Sequence, residues 1–336
     1  MADAEAPAKA AGRTVFLTGA TGFIGGRLAR SLAERGDRLR CLVRHTQRGR
    51  FLEELGAELI PGEITDSIAL QRGLSGADLA FHVAAVYEIG PVDVRDMERI
   101  NVGGTRSFFE EAARVKVPRI VYVSSTVALG PVVSGEGNEE SSWAGPYPSA
   151  YHRTKTEAHH AARQAQQRGL PVIIVCPANV YGPSRSGPNG KFMHDLVRGR
   201  LPALLKDPAW FSYVHVDDVV DGLMRVADAG RTGATYVLSG EAASMNDFAE
   251  RVAELAGRRP PPLRLPASLV YGSAFLLDAI SRVTRTRFAI NRESVRISDR
   301  LRWLHSHTLA TTELGYRPRS LEEGLPPTVE WFLKNG

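Results

Sequence analysis

Tyr151-His152-Arg153-Thr154-Lys155 sets a phenol and an ammonium four residues apart. On a helix such a pair shares one face, so the Lys155 ammonium can sit beside the Tyr151 hydroxyl. A free phenol titrates at about pH 10. A neighbouring cation favours the phenolate and draws that value toward neutrality, which makes Tyr151 a usable proton donor or acceptor. Upstream, Val121-Tyr122-Val123-Ser124-Ser125 reads as a strand that carries the Ser125 hydroxyl to its C-terminal end. There Ser125 can polarise a carbonyl oxygen while Tyr151 protonates it. A Tyr-x-x-x-Lys spacing also arises by chance on ordinary surface helices, so its meaning depends on the elements around it.

The most telling of these is Thr18-Gly19-Ala20-Thr21-Gly22-Phe23-Ile24-Gly25, after the apolar run Thr14-Val15-Phe16-Leu17 and before a helical pattern, Leu28 to Arg35. Strand, glycine turn and helix form the context of a dinucleotide site. Gly19 permits the sharp turn, Gly22 the close approach of a pyrophosphate, and Gly25 tight helix-on-strand packing. The helix N-terminus then offers unpaired N–H groups to phosphates. Cofactor contacts are expected from Gly19, Thr21, Gly22, Phe23, Ile24 and Gly25, with Lys155 reaching the ribose of the nicotinamide half. After the second strand, Leu39–Val43, the ribose-binding acid usual there is replaced by Arg44, with Arg48 and Arg50 behind it. A guanidinium grips a 2′-phosphate that an acid would repel, so NADP is expected, with NAD as the alternative.

The remaining elements alternate. Helices at Arg50–Leu55, Ser67–Leu74, Arg95–Val115 and Ser149–Arg168 separate strands at Ala57–Ile60, Asp78–Ala84, Arg119–Ser124 and Pro171–Cys176. Alternation of this kind means an α/β fold, a Rossmann doubly wound parallel sheet with right-handed crossovers. From Tyr181 the alternation fails. Gly182 to Pro208 reads as a loop-rich insertion, Val214–Val220 and Tyr236–Leu238 as returns to the sheet, and Ser244–Ala256, Pro266–Val283 and Leu321–Leu333 as helices. The expected organisation is a loose tail over 1–12, a Rossmann domain over 13–183 with returns at about 210–240, and a smaller C-terminal substrate lobe from 184–209 and 241–336.

Hydrophobic residues make up 43% and charged residues 24% of the 336, the balance of a soluble globule with ample core. The net charge of +5 comes from dispersed arginines without interleaved aromatics, which argues against nucleic-acid binding. Cys41 and Cys176 lie in apolar runs and read as buried reduced thiols, with neither a disulfide framework nor a metal site. Residues 2–12 lack the apolar core of a signal peptide. Together these lead to the expectation of a cytoplasmic protein. Leu265 to Ile280, followed by Arg282, Arg285 and Arg287, is short for a membrane span and carries Asp278; it reads as a packed helix rather than a membrane contact.

The sequence resembles the extended short-chain dehydrogenase/reductase family from about Arg13 to Phe332. The matching motifs are Thr18–Gly25, His82-Val83-Ala84-Ala85, Asn101-Val102-Gly103-Gly104-Thr105, Ser124-Ser125, Tyr151 with Lys155, Cys176-Pro177-Ala178-Asn179-Val180-Tyr181-Gly182-Pro183 and His215-Val216-Asp217-Asp218-Val219. The layout is similar to the subgroup of dihydroflavonol reductase-like and hopanoid-associated sugar epimerase-like enzymes. The resemblance implies that Tyr151 is the acid/base, Lys155 its activator, Ser125 the carbonyl-orienting hydroxyl, and that Asn101 helps shape the site. It implies that Val83, Ala84 and Ala85 pass beneath the cofactor, that Glu63 and Ile64 flank the adenine, and that Pro177, Asn179 and Val180 meet the nicotinamide end. Two positions depart from the family pattern: Glu63 stands where Asp is commoner, and Cys176 where many members carry Arg. A homodimer through the helices flanking the middle of the sheet is a further implication.

Carbonyl reductases and nucleotide-sugar epimerases or dehydratases share this framework. A sugar nucleotide brings a second diphosphate and needs cationic groups in the C-terminal lobe. Phe211 occupies the position where an Arg often precedes the Val-His-Val strand, and Val127 to Gly130 replace the Tyr that often follows the serine. Tyr87, Phe192, Trp210 and Tyr213 are candidates for a substrate pocket suited to a flat or greasy molecule. The expected reaction is hydride transfer between NADP(H) and a ketone, aldehyde or secondary alcohol. Nucleotide-sugar epimerisation or dehydration with tightly bound NAD(P) is the alternative, and a non-catalytic NADP-binding sensor a second one.

Overall fold

The computed structural model describes residues 12–90, 92–201, 203–284 and 291–335. The tail expected over 1–12, apart from Gly12, lies outside the described residues, as do Arg285 and Arg287. In chain order the strands are β1 (Thr14–Thr18), β2 (Arg38–Val43), β3 (Glu58–Pro61), β4 (Leu79–His82), β5 (Ile120–Val123), β6 (Val172–Pro177), β7 (Asn179–Tyr181), β8 (Ala203–Leu205), β9 (Trp210–His215), β10 (Thr235–Leu238), β11 (Ala242–Ser244), β12 (Leu263–Leu265) and β13 (Arg302–Trp303). The helices are α1 (Phe23–Arg35), α2 (Arg50–Glu54), α3 (Ser67–Leu74), α4 (Val94–Glu98), α5 (Gly104–Arg114), α6 (Ala150–Gln167), α7 (Gly187–Val197), α8 (Val216–Ala229), α9 (Met245–Leu255), α10 (Ala267–Thr284), α11 (Arg292–Ser298), α12 (Thr308–Leu314) and α13 (Leu321–Asn335).

Among the described residues, seven strands form one parallel sheet in the order β10-β6-β5-β4-β1-β2-β3. Successive side chains of a strand face opposite sides, and both sides here are apolar. Val15 and Leu17 join Leu28 and Leu32 of α1 and Val219 and Leu223 of α8 in one core. Phe16 joins Leu70 of α3, Phe108 of α5 and Ala162 of α6 in another. A sheet covered on both faces needs such continuous apolar strands. The order reverses between β1 and β4, and the crevice at their carboxyl ends is where an open α/β sheet binds its ligand.

The helix starts are written locally. Asp66 caps α3 by accepting from the Ile68 and Ala69 N–H groups, and Ser149 caps α6 by accepting from the His152 N–H at 3.3 Å. No side chain caps α1, which Gly22 opens in extended backbone.

Two readings of the second half are corrected. Val214–Val220 is not a return to the central sheet: β9 ends at His215 and pairs with β7, β11 and β13 in a separate sheet, and Val216 onward is α8. The His215 ring caps that helix, and Asp217 and Asp218 fill its first turn, which the N-terminal end of the dipole favours. The supposed loop-rich insertion holds α7, with a proline in its first turn; a proline is harmless there because those N–H groups have no intrahelical partner. Tyr236–Leu238 does lie in the central sheet, as the edge strand beside β6. The lobe's own core joins Met193 and Leu196 of α7, Tyr213, Phe248 of α9 and Leu325 and Phe332 of α13.

Candidate active site

The glycine turn and the chain after β4 meet in the crevice. A Cβ on Gly19, whose φ is +76°, would stand 2.7 Å from the Ala84 nitrogen, and one on Gly25 would stand 2.1 Å from the Gly19 carbonyl oxygen. Backbone atoms cannot yield, so only hydrogen fits at either position. Gly22 is exposed at the mouth of the uncapped helix, with Thr21 exposed and Phe23 and Ile24 half-buried beside it. Unpartnered first-turn N–H groups at the end of a helix suit a pyrophosphate. This donor set, and a turn too tight for any side chain, fit a dinucleotide.

A buried histidine holds this cradle together. The Thr105 hydroxyl donates to the Asn101 carbonyl at 2.7 Å, so it must accept from His82 Nε2 at 3.0 Å. The other ring nitrogen, Nδ1, then accepts from Thr18 Oγ1 at 2.8 Å, whose lone pairs take the Val83 and Ala84 N–H groups at 3.2 Å each. Every donor and acceptor is used once, which requires the neutral Nε2–H tautomer. Burial, helped by the Lys155 charge, pushes His82 down to about 3 and keeps it in that form. In the sequence His82 is visible only as part of the His82-Val83-Ala84-Ala85 motif, and Thr18 and Thr105 carry no local signal for this pairing.

Ser125, Tyr151 and Lys155 come together at the carboxyl end of β5. Ser125 follows the strand in extended backbone, and its Oγ accepts from the Val127 N–H at 3.3 Å. Tyr151 stands in the first turn of α6. Burial pushes its phenol up to about 12, and an interaction with the Ser125 hydroxyl pulls it back. Lys155 is buried, donates to the Val123 carbonyl at 3.1 Å and lies 5.5 Å from the Tyr122 ring. Burial lowers its ammonium to about 8. The expectation that Lys155 draws the phenol toward neutrality is not met in the protein alone: burial sets the direction, and it is the Ser125 hydroxyl that opposes it. A phenol so placed stays protonated through the neutral range and is suited to donating a proton.

Asn101 opens a fixed polar bridge. Its Oδ1 accepts from the Val86 N–H at 2.7 Å, and its Nδ2 donates to the Val86 carbonyl and to Thr154 Oγ1 on α6, each at 3.1 Å. Asn101 lies in a π-helical turn, Arg99–Gly103, a distortion often found at functional sites. Arg44 is exposed directly after β2, with Arg48 and Arg50 exposed behind it. The Glu63 carboxylate pairs with Arg99 at 2.7 Å, and Ile64 is buried against Gly104. Ala85 is exposed beside half-buried Val83 and Ala84. Pro177 ends β6, and Asn179 and Val180 open β7. Cys176, like Cys41, is a buried free thiol; burial pushes Cys176 up to about 12. Its sulfur lies 3.9 Å from His159 Nδ1, which also bonds Ser124 Oγ at 2.9 Å.

Of the four substrate candidates, Tyr87 meets the Tyr151 ring, at 4.7 Å between centroids. Tyr213 is buried and stacked on Phe248 at 4.1 Å, and Phe192 packs on the same lobe core. Trp210 turns its ring to Arg302, 5.6 Å away. Asn189, unremarked in the sequence, joins Tyr87 to Asn179 and Val180; it lies within the stretch taken for a loop. No helix among the described residues is long and apolar enough to cross a membrane.

The model of the NAD dependent epimerase/dehydratase family matches residues 15–239, more than half of the chain. Sterol demethylase protein B of Methylococcus capsulatus is 32% identical, over 96% of this chain and 99% of its own. A ceramide reductase of Caulobacter vibrioides is 29% identical, over 96% and 95%. Among solved structures, a nucleoside-diphosphate-sugar epimerase from Pseudomonas aeruginosa is 25% identical, over 96% of this chain and 98% of that one, with a TM-score of 0.76.

Proposed function

The chain belongs to the NAD dependent epimerase/dehydratase family, the extended branch of the short-chain dehydrogenases/reductases, and is an NAD(P)-dependent enzyme; from that premise we propose that it reduces a ketone or aldehyde on a lipophilic molecule with NADPH. The observation that carries this reading is the Tyr87 ring against Tyr151. An aromatic wall beside the proton donor suits an apolar carbonyl compound better than a sugar diphosphate. The names of the two curated relatives, a sterol demethylase protein and a ceramide reductase, point to substrates of the same character. Phe211, apolar and packed on the lobe core, stands where a diphosphate would need a cation. Exposed Arg44 at the end of β2 supports NADP over NAD.

Bound NADPH supplies the hydride. Ser125 orients the carbonyl oxygen, and Tyr151, protonated because it is buried, gives that oxygen its proton. Lys155 holds its ammonium beside the end of β5, fixed by the Val123 carbonyl. His82 keeps Val83 and Ala84 in register with the glycine turn. The reading that competes is nucleotide-sugar epimerisation, which the Pseudomonas relative's name favours. A panel of aromatic, steroid-like and aliphatic carbonyls, with NADPH oxidation followed, separates the two when run beside UDP- and dTDP-sugars assayed for epimers. Turnover confined to the sugars would replace the reductase reading.

A further inference from the structure

Tyr87 lies on a strap, Val86–Gly90, that belongs to no helix or strand, yet the strap is held at three points. Asn101 exchanges two hydrogen bonds with Val86. The Gly90 N–H donates to Glu293 Oε2 at 2.8 Å, while the other oxygen of that carboxylate accepts from the Ala150 N–H at the start of α6 at 3.4 Å. Between these anchors the Tyr87 hydroxyl donates to Asn189 Oδ1 at 3.3 Å. The Asn189 amide is committed on its other side: Nδ2 donates to Asn179 Oδ1 at 2.6 Å and to the Val180 carbonyl at 2.9 Å. Both donors point to β7, so the carbonyl oxygen is the atom left for Tyr87, and the amide's orientation is set by that strand. Asn189 itself is only half-buried, and α7 packs through Met193, Leu196 and Val197 instead.

We propose that Asn189 is a positioning residue that transmits the register of β7 to the Tyr87 ring and so sets the width of the substrate site over Tyr151. The proposal rests on the carbonyl-reductase reading for its substrate, and on geometry alone for the link between Asn189 and Tyr87. Releasing the hydroxyl lets the ring swing on the strap, which loosens the wall for a wide substrate and leaves a narrow one indifferent.

The test is a double-mutant cycle in the full chain with NADPH and two probes, cyclohexanone and a 3-ketosteroid. Asn189→Ala raises KM for the steroid about tenfold, leaves kcat within about twofold, and leaves KM for cyclohexanone unmoved. Tyr87→Phe, which keeps the ring and loses the hydroxyl, raises the steroid KM to the same extent, and the double variant adds nothing to it, because both changes remove one link. Effects that multiply to about a hundredfold, or that fall equally on both ketones, overturn the proposal. A second arm needs no substrate. In fluorotyrosine-labelled protein the Tyr87 resonance, assigned through Tyr87→Phe, shifts in Asn189→Ala while NADPH affinity holds; an unmoved resonance overturns the proposal. A chain that reduces neither ketone refutes the reductase reading, and the resonance still tests Asn189.

Discussion

The Lys155 ammonium donates to the Val123 carbonyl at 3.1 Å, which ties α6 to the end of β5, the strand that Ser125 follows. That bond holds a cation in a buried place, and burial lowers its affinity for the proton, to about 8. Tyr151, pushed up to about 12, does not titrate in the same range. The rate of carbonyl reduction (kcat/KM) is expected to fall about tenfold per pH unit above about 8, and Lys155→Met should be slow and flat there. A limb at the same pH in Lys155→Met would assign it to another group.

The proposed preference for NADP rests on one exposed side chain, Arg44. Arg44→Asp removes the cation from the end of β2 and places a repelling charge there. The Michaelis constant for NADPH should rise on the order of 10- to 100-fold, with little change for NADH. Steady-state kinetics with both cofactors checks this, and equal effects would leave Arg44 a solvated loop residue.

Gly19→Ala has no room to relax. The added carbon would meet the Ala84 nitrogen at 2.7 Å and Cα at 2.9 Å, at a φ of +76°. The expected cost is about 2–4 kcal/mol of stability, with NADPH binding lost. Thermal unfolding and a fluorescence titration measure the two, and wild-type affinity in the variant would contradict the tight turn.

His82, His152 and His159 are each driven down to about 3 by burial. Unfolded, each takes up a proton near its ordinary value of about 6.5. The unfolded state therefore binds more protons below that pH, and stability falls as the solution is acidified, each histidine adding to the loss. The Tm should drop steeply between pH 6.5 and 4. A Tm unchanged from pH 7 to 5 would mean that the three rings accept protons in the folded state.

The parts of this molecule that follow from local patterning were legible in the chain. The glycine turn, the alternating strands to Cys176, and the Tyr151–Lys155 pair on one helix depend on spacings within a few residues. The second half was harder because its signals conflict. Val214, Val216, Val219 and Val220 have strand propensity, and only the acidic first turn after His215 marks the start of α8. Gly187, Pro188 and Gly190 disguise α7 as loop. Long-range partnerships have no local trace: Asn189 with Tyr87, and His82 between Thr18 and Thr105, are set by how distant elements pack. The balance at Tyr151 is hidden for a similar reason, since a spacing reveals a neighbouring charge but not how deeply the phenol is buried.

The most direct test is Tyr151→Phe, measured at once for NADPH binding by fluorescence and for NADPH oxidation across the carbonyl panel. The substitution removes one oxygen and leaves the crevice intact. NADPH should bind with nearly wild-type affinity while turnover disappears for every carbonyl that the wild type reduces. Turnover preserved in the phenylalanine variant would show that another group supplies the proton.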